Sequence, residues 1–83
     1  MKVLVKLFAG ARESVGAASI PLDLPDGCTV ADLRAALIRG LPAVAALVGR
    51  SRIAVDLAFA DDDSIVPEGA ELALIPPVSG GST

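Results

Sequence analysis

The chain has 83 residues, 53% of them hydrophobic and 20% charged, which suits one domain with a real core and leaves no room for a second. Seven scattered basic residues against ten acidic ones give a net charge of −3, with no Trp or Tyr and two Phe, a balance that excludes a nucleic-acid-binding face. No His is present and Cys28 is the one cysteine, so the commonest general base, the commonest metal ligand, a disulfide framework and a Cys-only zinc site are all missing. No metal site is expected, and no catalytic residue in the chain taken alone. Charge or Pro/Gly interrupts every apolar run before the roughly 18 residues of a membrane span. Met1-Lys2-Val3 lacks a secretory leader's apolar block, so the expected location is cytoplasmic, with no membrane partner.

Lys2 to Phe8 alternates as a strand, with Val3, Val5 and Leu7 on one face and Lys2, Leu4, Lys6 and Phe8 on the other. Gly10 to Gly16 reads as a short connection with at most one helical turn around Ala11-Arg12-Glu13. Ser19 to Leu24 alternates again, Ile20, Leu22 and Leu24 pointing inward, and Pro21 suits an edge strand. The clearest helix comes next. Thr29 is a natural N-cap, Asp32 completes a near capping box, and Val30, Leu33, Leu37 and Leu41 recur at helical spacing while Asp32, Arg34 and Arg39 point outward. Gly40 and Pro42 are read as its stop. A second short helix from Pro42 to Val48, with Val44, Leu47 and Val48 inward, is read as ending at Gly49. Arg52 to Asp56 reads as a strand and Leu57-Ala58-Phe59 as a short continuation or turn. Asp61-Asp62-Asp63-Ser64 reads as a solvated turn, and Pro67 to Ala70 as a turn into the last strand, Glu71 to Ile75.

Strand, strand, helix, strand, short strand, strand is the order of a β-grasp, or ubiquitin-like, roll: an α+β fold whose mixed sheet of four to five strands carries one main helix on one face. A ferredoxin-like sandwich would need two full crossover helices. The expected organisation is a β-grasp domain over residues 1–75 and a flexible tail over residues 76–83.

The tail is Pro76-Pro77-Val78-Ser79-Gly80-Gly81-Ser82-Thr83. Two prolines stop the strand and stiffen the base of the tail, and Gly80-Gly81 has no side chain to obstruct a narrow channel. A β-grasp domain ending in such a tail suits delivery of a terminal carboxylate into another protein's active site.

Leu7-Phe8-Ala9 with Arg12-Glu13 and Val15-Gly16, then Thr29-Val30-Ala31-Asp32-Leu33, and above all the run from Pro67 to Gly81, resemble the small subunits of molybdopterin synthase, within the β-grasp sulfur-carrier superfamily. The most specific part is Pro76-Pro77-Val78-Ser79-Gly80-Gly81. The resemblance implies a non-catalytic carrier subunit of a sulfurtransferase complex. A ubiquitin-activating-like adenylating enzyme would spend ATP on the Gly81 carboxylate, a sulfur donor would convert the acyl-adenylate to a thiocarboxylate, and the large synthase subunit would receive the tail. Sulfur would then pass to cyclic pyranopterin monophosphate in molybdenum-cofactor biosynthesis. On this reading Gly81 is the modified residue, Pro76, Pro77, Val78, Ser79 and Gly80 thread the channel, and the carrier binds no cofactor itself. Family members usually end at the second glycine. Because the β-branched Thr83 does not fit a glycine-only channel, Ser82 and Thr83 imply either a trimming protease or a copy that is not a functional carrier. Asp56 stands where the family often has Asn, an exchange expected to alter only local hydrogen bonding.

By alternation Phe8 and Ile75 lie on the sheet face that the helix leaves open, and Phe59 is placed with them on the reading that the strand from Ile53 continues, which makes Phe8, Phe59 and Ile75 the expected docking surface for the activating enzyme and the large subunit. Cys28 reads as a small buried hydrophobe. Arg12 and Glu13 suit either an intramolecular surface salt bridge or a partner's charges. Three other functions stay open: a sulfur carrier of another pathway, a ubiquitin-like modifier joined to lysine through Gly81, and a non-covalent β-grasp adaptor.

Overall fold

The computed structural model describes residues 1–77. Five strands form one mixed sheet in the order β2-β1-β5-β3-β4: β1 Lys2–Leu7, β2 Ser19–Asp23, β3 Arg52–Val55, β4 Ala58–Ala60 and β5 Leu72–Ile75. β1 pairs antiparallel with β2 and parallel with β5, while β5 and β4 both run antiparallel to β3. The main helix α2, Val30–Gly40, packs its buried Val30, Leu33 and Leu37 on one side of this sheet. This is the β-grasp arrangement read from the element order.

The core is built from the predicted faces. Val5, Val30, Leu33, Leu37, Val48, Ile53, Leu72 and Leu74 are fully shielded from solvent, each contributing about 1.5–3 kcal/mol of apolar transfer free energy. The strict alternation of β1, with Val3, Val5 and Leu7 buried and their neighbours exposed, fixes its register, since a one-residue slip would turn these three outward. At the start of α2, Asp32 N–H donates to Thr29 Oγ1 (3.2 Å) and Thr29 N–H donates to Asp32 Oδ2 (2.9 Å), so the capping box is complete.

Four local readings are corrected. The segment taken as a connection is a seven-residue helix, α1, Ala9–Val15, entered through Ala9 at φ 50° and closed by Gly16 in the left-handed region (φ 78°), whose N–H donates to Arg12 O. Its small residues bury only Ala11, so no apolar periodicity marked it.

The main helix runs through Gly40, which does not take the left-handed φ of a capping glycine. Its stop is Leu41, whose N–H still reaches Leu37 O, followed by Pro42. Beyond a 3-10 turn at Pro42–Val44, helix α3, Ala45–Arg50, likewise passes through Gly49. Its last carbonyls are met by side chains: Ser51 Oγ donates to Leu47 O and Arg34 Nη1 to Val48 O, so no glycine is needed.

Arg34, read as outward-pointing, is mostly buried. It donates to Val48 O (2.8 Å) and Ser51 O (2.6 Å) and pairs with Asp62 Oδ1 (3.0 Å), tying α2 to the end of α3 and to the acidic turn.

The fourth correction concerns β3 and β4. They form a hairpin, Val55 opposite Ala58, whose two-residue turn is Asp56-Leu57. Both residues have positive φ, 51° and 71°, as a type I′ turn demands. Asp56 is therefore a turn residue rather than a strand end. It is pinned to the next strand, Asp56 N–H donating to Glu71 O and Asp56 Oδ1 accepting from Glu71 N–H. Leu57 is 87% exposed and has no packing to offset its strained backbone. Leu57→Gly is expected to stabilise the fold by about 0.5–1 kcal/mol, read as an upward shift in the urea midpoint with an unchanged slope.

Candidate functional site

Among the described residues no element covers the sheet face opposite α2, and the register fixes which side chains share it. One row runs Lys6, Ala73, Ala54, Phe59 across β1, β5, β3 and β4. The next holds Ile75 beside Arg52, and extending β1 by one residue brings Phe8 alongside Ile75. Phe8, Phe59 and Ile75 thus lie on one face, at the end of the sheet where the tail begins. Phe8 is 42% and Phe59 54% exposed, while Ile75 is half-buried among its neighbours.

Leu4, 53% exposed, shares this face, and two charged groups lie on it beside the aromatic rings. Lys6 Nζ is bonded to Glu71 Oε2 at 3.0 Å. Arg52 lies over the ring of Phe59, its Cζ 3.9 Å from the centroid, an arrangement that adds cation–π attraction to apolar contact. Arg52 was not singled out in the sequence, although its place one residue before the buried Ile53 puts it on this face by alternation.

The strand that feeds the tail is central. β5 is hydrogen-bonded on both edges, to β1 and β3, so the backbone that ends at Ile75 is anchored on two sides. Pro76 is buried and Pro77 exposed, the point where the chain leaves the sheet. Val78, Ser79, Gly80, Gly81, Ser82 and Thr83 lie outside the described residues.

The remaining candidates fall elsewhere. Arg12 and Glu13 line a shallow depression with Ala9, Gly16, Ala17 and Ala18 and form no ion pair with each other. Among the described residues no group of three acidic, Cys or His side chains could hold a metal ion, and no helix is long and apolar enough to cross a membrane. Cys28 is buried ahead of the α2 N-cap; desolvation, with the nearby negative charge of Asp32, pushes its thiol pKa up. It is expected to resist alkylation at pH 8 in the native protein and react promptly in denaturant, as a timed thiol assay would show. The raised pKa also means that the native state holds the proton more tightly. Stability should therefore fall as pH rises beyond about 8.5, where the unfolded thiol ionises.

A five-stranded mixed sheet backed by one main helix, with its last strand in the centre, defines the ubiquitin-like, β-grasp class. The chain belongs to the ThiS family, whose model matches residues 5–81. It is 33% identical over 81 residues to the molybdopterin synthase sulfur carrier subunit of Arabidopsis thaliana, covering 98% of this chain and 84% of that protein. Among solved structures it is similar to small archaeal modifier protein 1 (SAMP1) of Haloferax volcanii, with TM-score 0.84, 29% identity and coverage of 98% and 100% of the two chains. It shares its fold with a chain of the Helicobacter pylori complex of subunits 1 and 2 of molybdopterin-converting factor, with TM-score 0.68, 22% identity and coverage of 98% and 100%.

Proposed function

We infer that this chain is the sulfur carrier subunit of a molybdopterin synthase, and that the atom it carries is bonded to the C-terminal carbonyl of Gly81. The observation that bears most weight is the end of the family match: it stops at Gly81, leaving Ser82 and Thr83 outside the shared pattern. Removal of those two residues by a protease gives a glycine carboxylate. Carboxylate oxygen is a poor leaving group, so an adenylating enzyme first converts it to an acyl-adenylate with ATP. A sulfur donor then displaces AMP to leave the thiocarboxylate. The tail, from Pro76 and Pro77 through Val78, Ser79 and Gly80, enters the large subunit, where sulfur passes to cyclic pyranopterin monophosphate. Phe8, Phe59 and Ile75 hold the domain against its partners while the tail is engaged. The carrier supplies neither metal nor cofactor, and its working place is the cytoplasm.

The likeness to a chain solved in complex with its subunit 2 supports a large-subunit partner. The test is mass spectrometry of the C-terminal peptide from protein isolated from its own cells. A peptide ending at Gly81 with one oxygen replaced by sulfur is the expected result. A peptide ending only at Thr83, unmodified while molybdenum cofactor is being made, would overturn the reading.

The likeness to an archaeal modifier protein favours a second use of the same activated carboxylate, isopeptide conjugation to lysine. Gly-Gly-modified lysines in partner proteins of the same cells would establish it.

A further inference from the structure

Arg52 occupies an unusual place on the helix-free face. It lies between Ile75, its register partner on β5, and the ring of Phe59, on which it is stacked at 3.9 Å. Any surface that covers Phe8, Ile75 and Phe59 together must therefore cover Arg52 too.

Among the described residues the guanidinium has no acidic partner. Lys6, on the neighbouring row, is matched by Glu71, and Arg34 on the opposite side of the sheet is matched by Asp62 and two carbonyls. Arg52 makes no side-chain hydrogen bond or ion pair among the described residues. Contact with the ring uses none of the guanidinium's N–H donors, a fork suited to a carboxylate. Burying this cation beneath a purely apolar partner would strand an unpaired charge, which costs more than the apolar contact gains.

We propose that the partner protein covering this face sets an Asp or Glu carboxylate, inside an otherwise apolar contact, against the edge of Arg52. The proposal rests on the docking role assigned above to Phe8, Phe59 and Ile75, and names the chemistry of what docks. A carboxylate is favoured over a phosphate-rich surface because the face around Arg52 is apolar and the chain carries a net charge of −3. Long-range attraction to an anionic partner is therefore absent, and the charge is read only at contact distance. The device gives specificity: an apolar surface without the acid is rejected by the cost of burying Arg52, and one with the acid is held in a single register.

The test is calorimetric titration of the trimmed carrier with the synthase large subunit of the same organism, comparing Arg52→Met, Arg52→Glu, Arg52→Lys and Phe59→Ala. Arg52→Met keeps the apolar stem and is expected to weaken binding on the order of 30-fold. Arg52→Glu should weaken it further, and Arg52→Lys should recover most of the affinity. An Asp→Arg or Glu→Arg change on the large subunit that restores binding of Arg52→Glu would identify the matching acid. Both side chains are exposed, so unchanged melting temperatures serve as the folding control. If Phe59→Ala weakens binding while Arg52→Met and Arg52→Glu do not, the inference is overturned and the docking face stands. If none of the variants changes affinity, the docking face itself falls.

Discussion

A chain shortened to end at Gly81 is expected to become thiocarboxylated when given the activating enzyme, ATP and a sulfur donor, and Gly81→Ala in that chain to lower the yield about 100-fold or more. The carboxylate whose oxygen must attack the α-phosphorus of ATP, expelling pyrophosphate, is bonded directly to this Cα. A methyl group there would strike the walls of a passage narrow enough to admit backbone alone, and misplacement of the reacting atom by about 1 Å carries a penalty of that size. The readout is the mass of the C-terminal peptide after a timed reaction. Residues 1–77 are the same in both chains, so thermal melting controls for folding. Equal modification of the chain that still ends at Thr83 would move the reacting carboxylate to Thr83 and remove the argument for glycine.

The second large effect concerns stability. Arg34→Ala is expected to cost about 2–4 kcal/mol, a fall in melting temperature on the order of 10–25 °C for a domain of this size. Arg34 is 18% exposed and donates to two carbonyls at the end of α3 as well as to Asp62. Removing it leaves Val48 O and Ser51 O facing a gap, and Asp62 without its cation. The backbone bonds from Val30 N–H to Ser64 O and from Ala31 N–H to Asp62 O remain, so the acidic turn stays attached to α2 and the fold survives in weakened form. Arg34→Lys carries the same charge on a single point and cannot span three acceptors, so it should recover less than half of the loss. A melting temperature for Arg34→Ala within 3 °C of the parent would show that water replaces the guanidinium without penalty.

These two residues also mark how far the sequence could be read. The β-grasp architecture was legible because alternation in Val3, Val5 and Leu7 and helical spacing in Val30, Leu33 and Leu37 record the two faces of one core. The capping box at Thr29 and Asp32 is local chemistry, written in adjacent residues. Phe8 and Ile75 share a face by parity, but Phe59, six residues after the buried Ile53, would fall on the core face of a continuous strand; the β3–β4 hairpin sets it opposite Ala54 instead, and that turn went unseen because neither Asp56 nor Leu57 is the glycine that such turns usually announce.

Arg34 was misread for a different reason. Its position on the helix wheel says outward, and only the return of α3 and the acidic turn, 14 to 28 residues later, supplies the acceptors that enclose it. The stop of α3 was misplaced by the same contact, since Arg34 and Ser51 do what a glycine cap does elsewhere. Arg52 was legible in direction but not in consequence: alternation puts it on the open face, and only the register shows that it is stacked on Phe59.

The placement of β5 has a consequence for how the protein is made. It is the last of the five strands along the chain and occupies the middle of the sheet, so the ladders to β1 and β3 both wait for it. On the ribosome, neither the β1–β2 hairpin nor the β3–β4 hairpin can join the other until residues 72–75 have left the exit tunnel. A message broken before that point yields two separate ribbons with exposed apolar faces, substrates for degradation rather than for assembly. A nascent chain cannot complete the sheet from which its tail extends until the stretch just ahead of that tail has been synthesised.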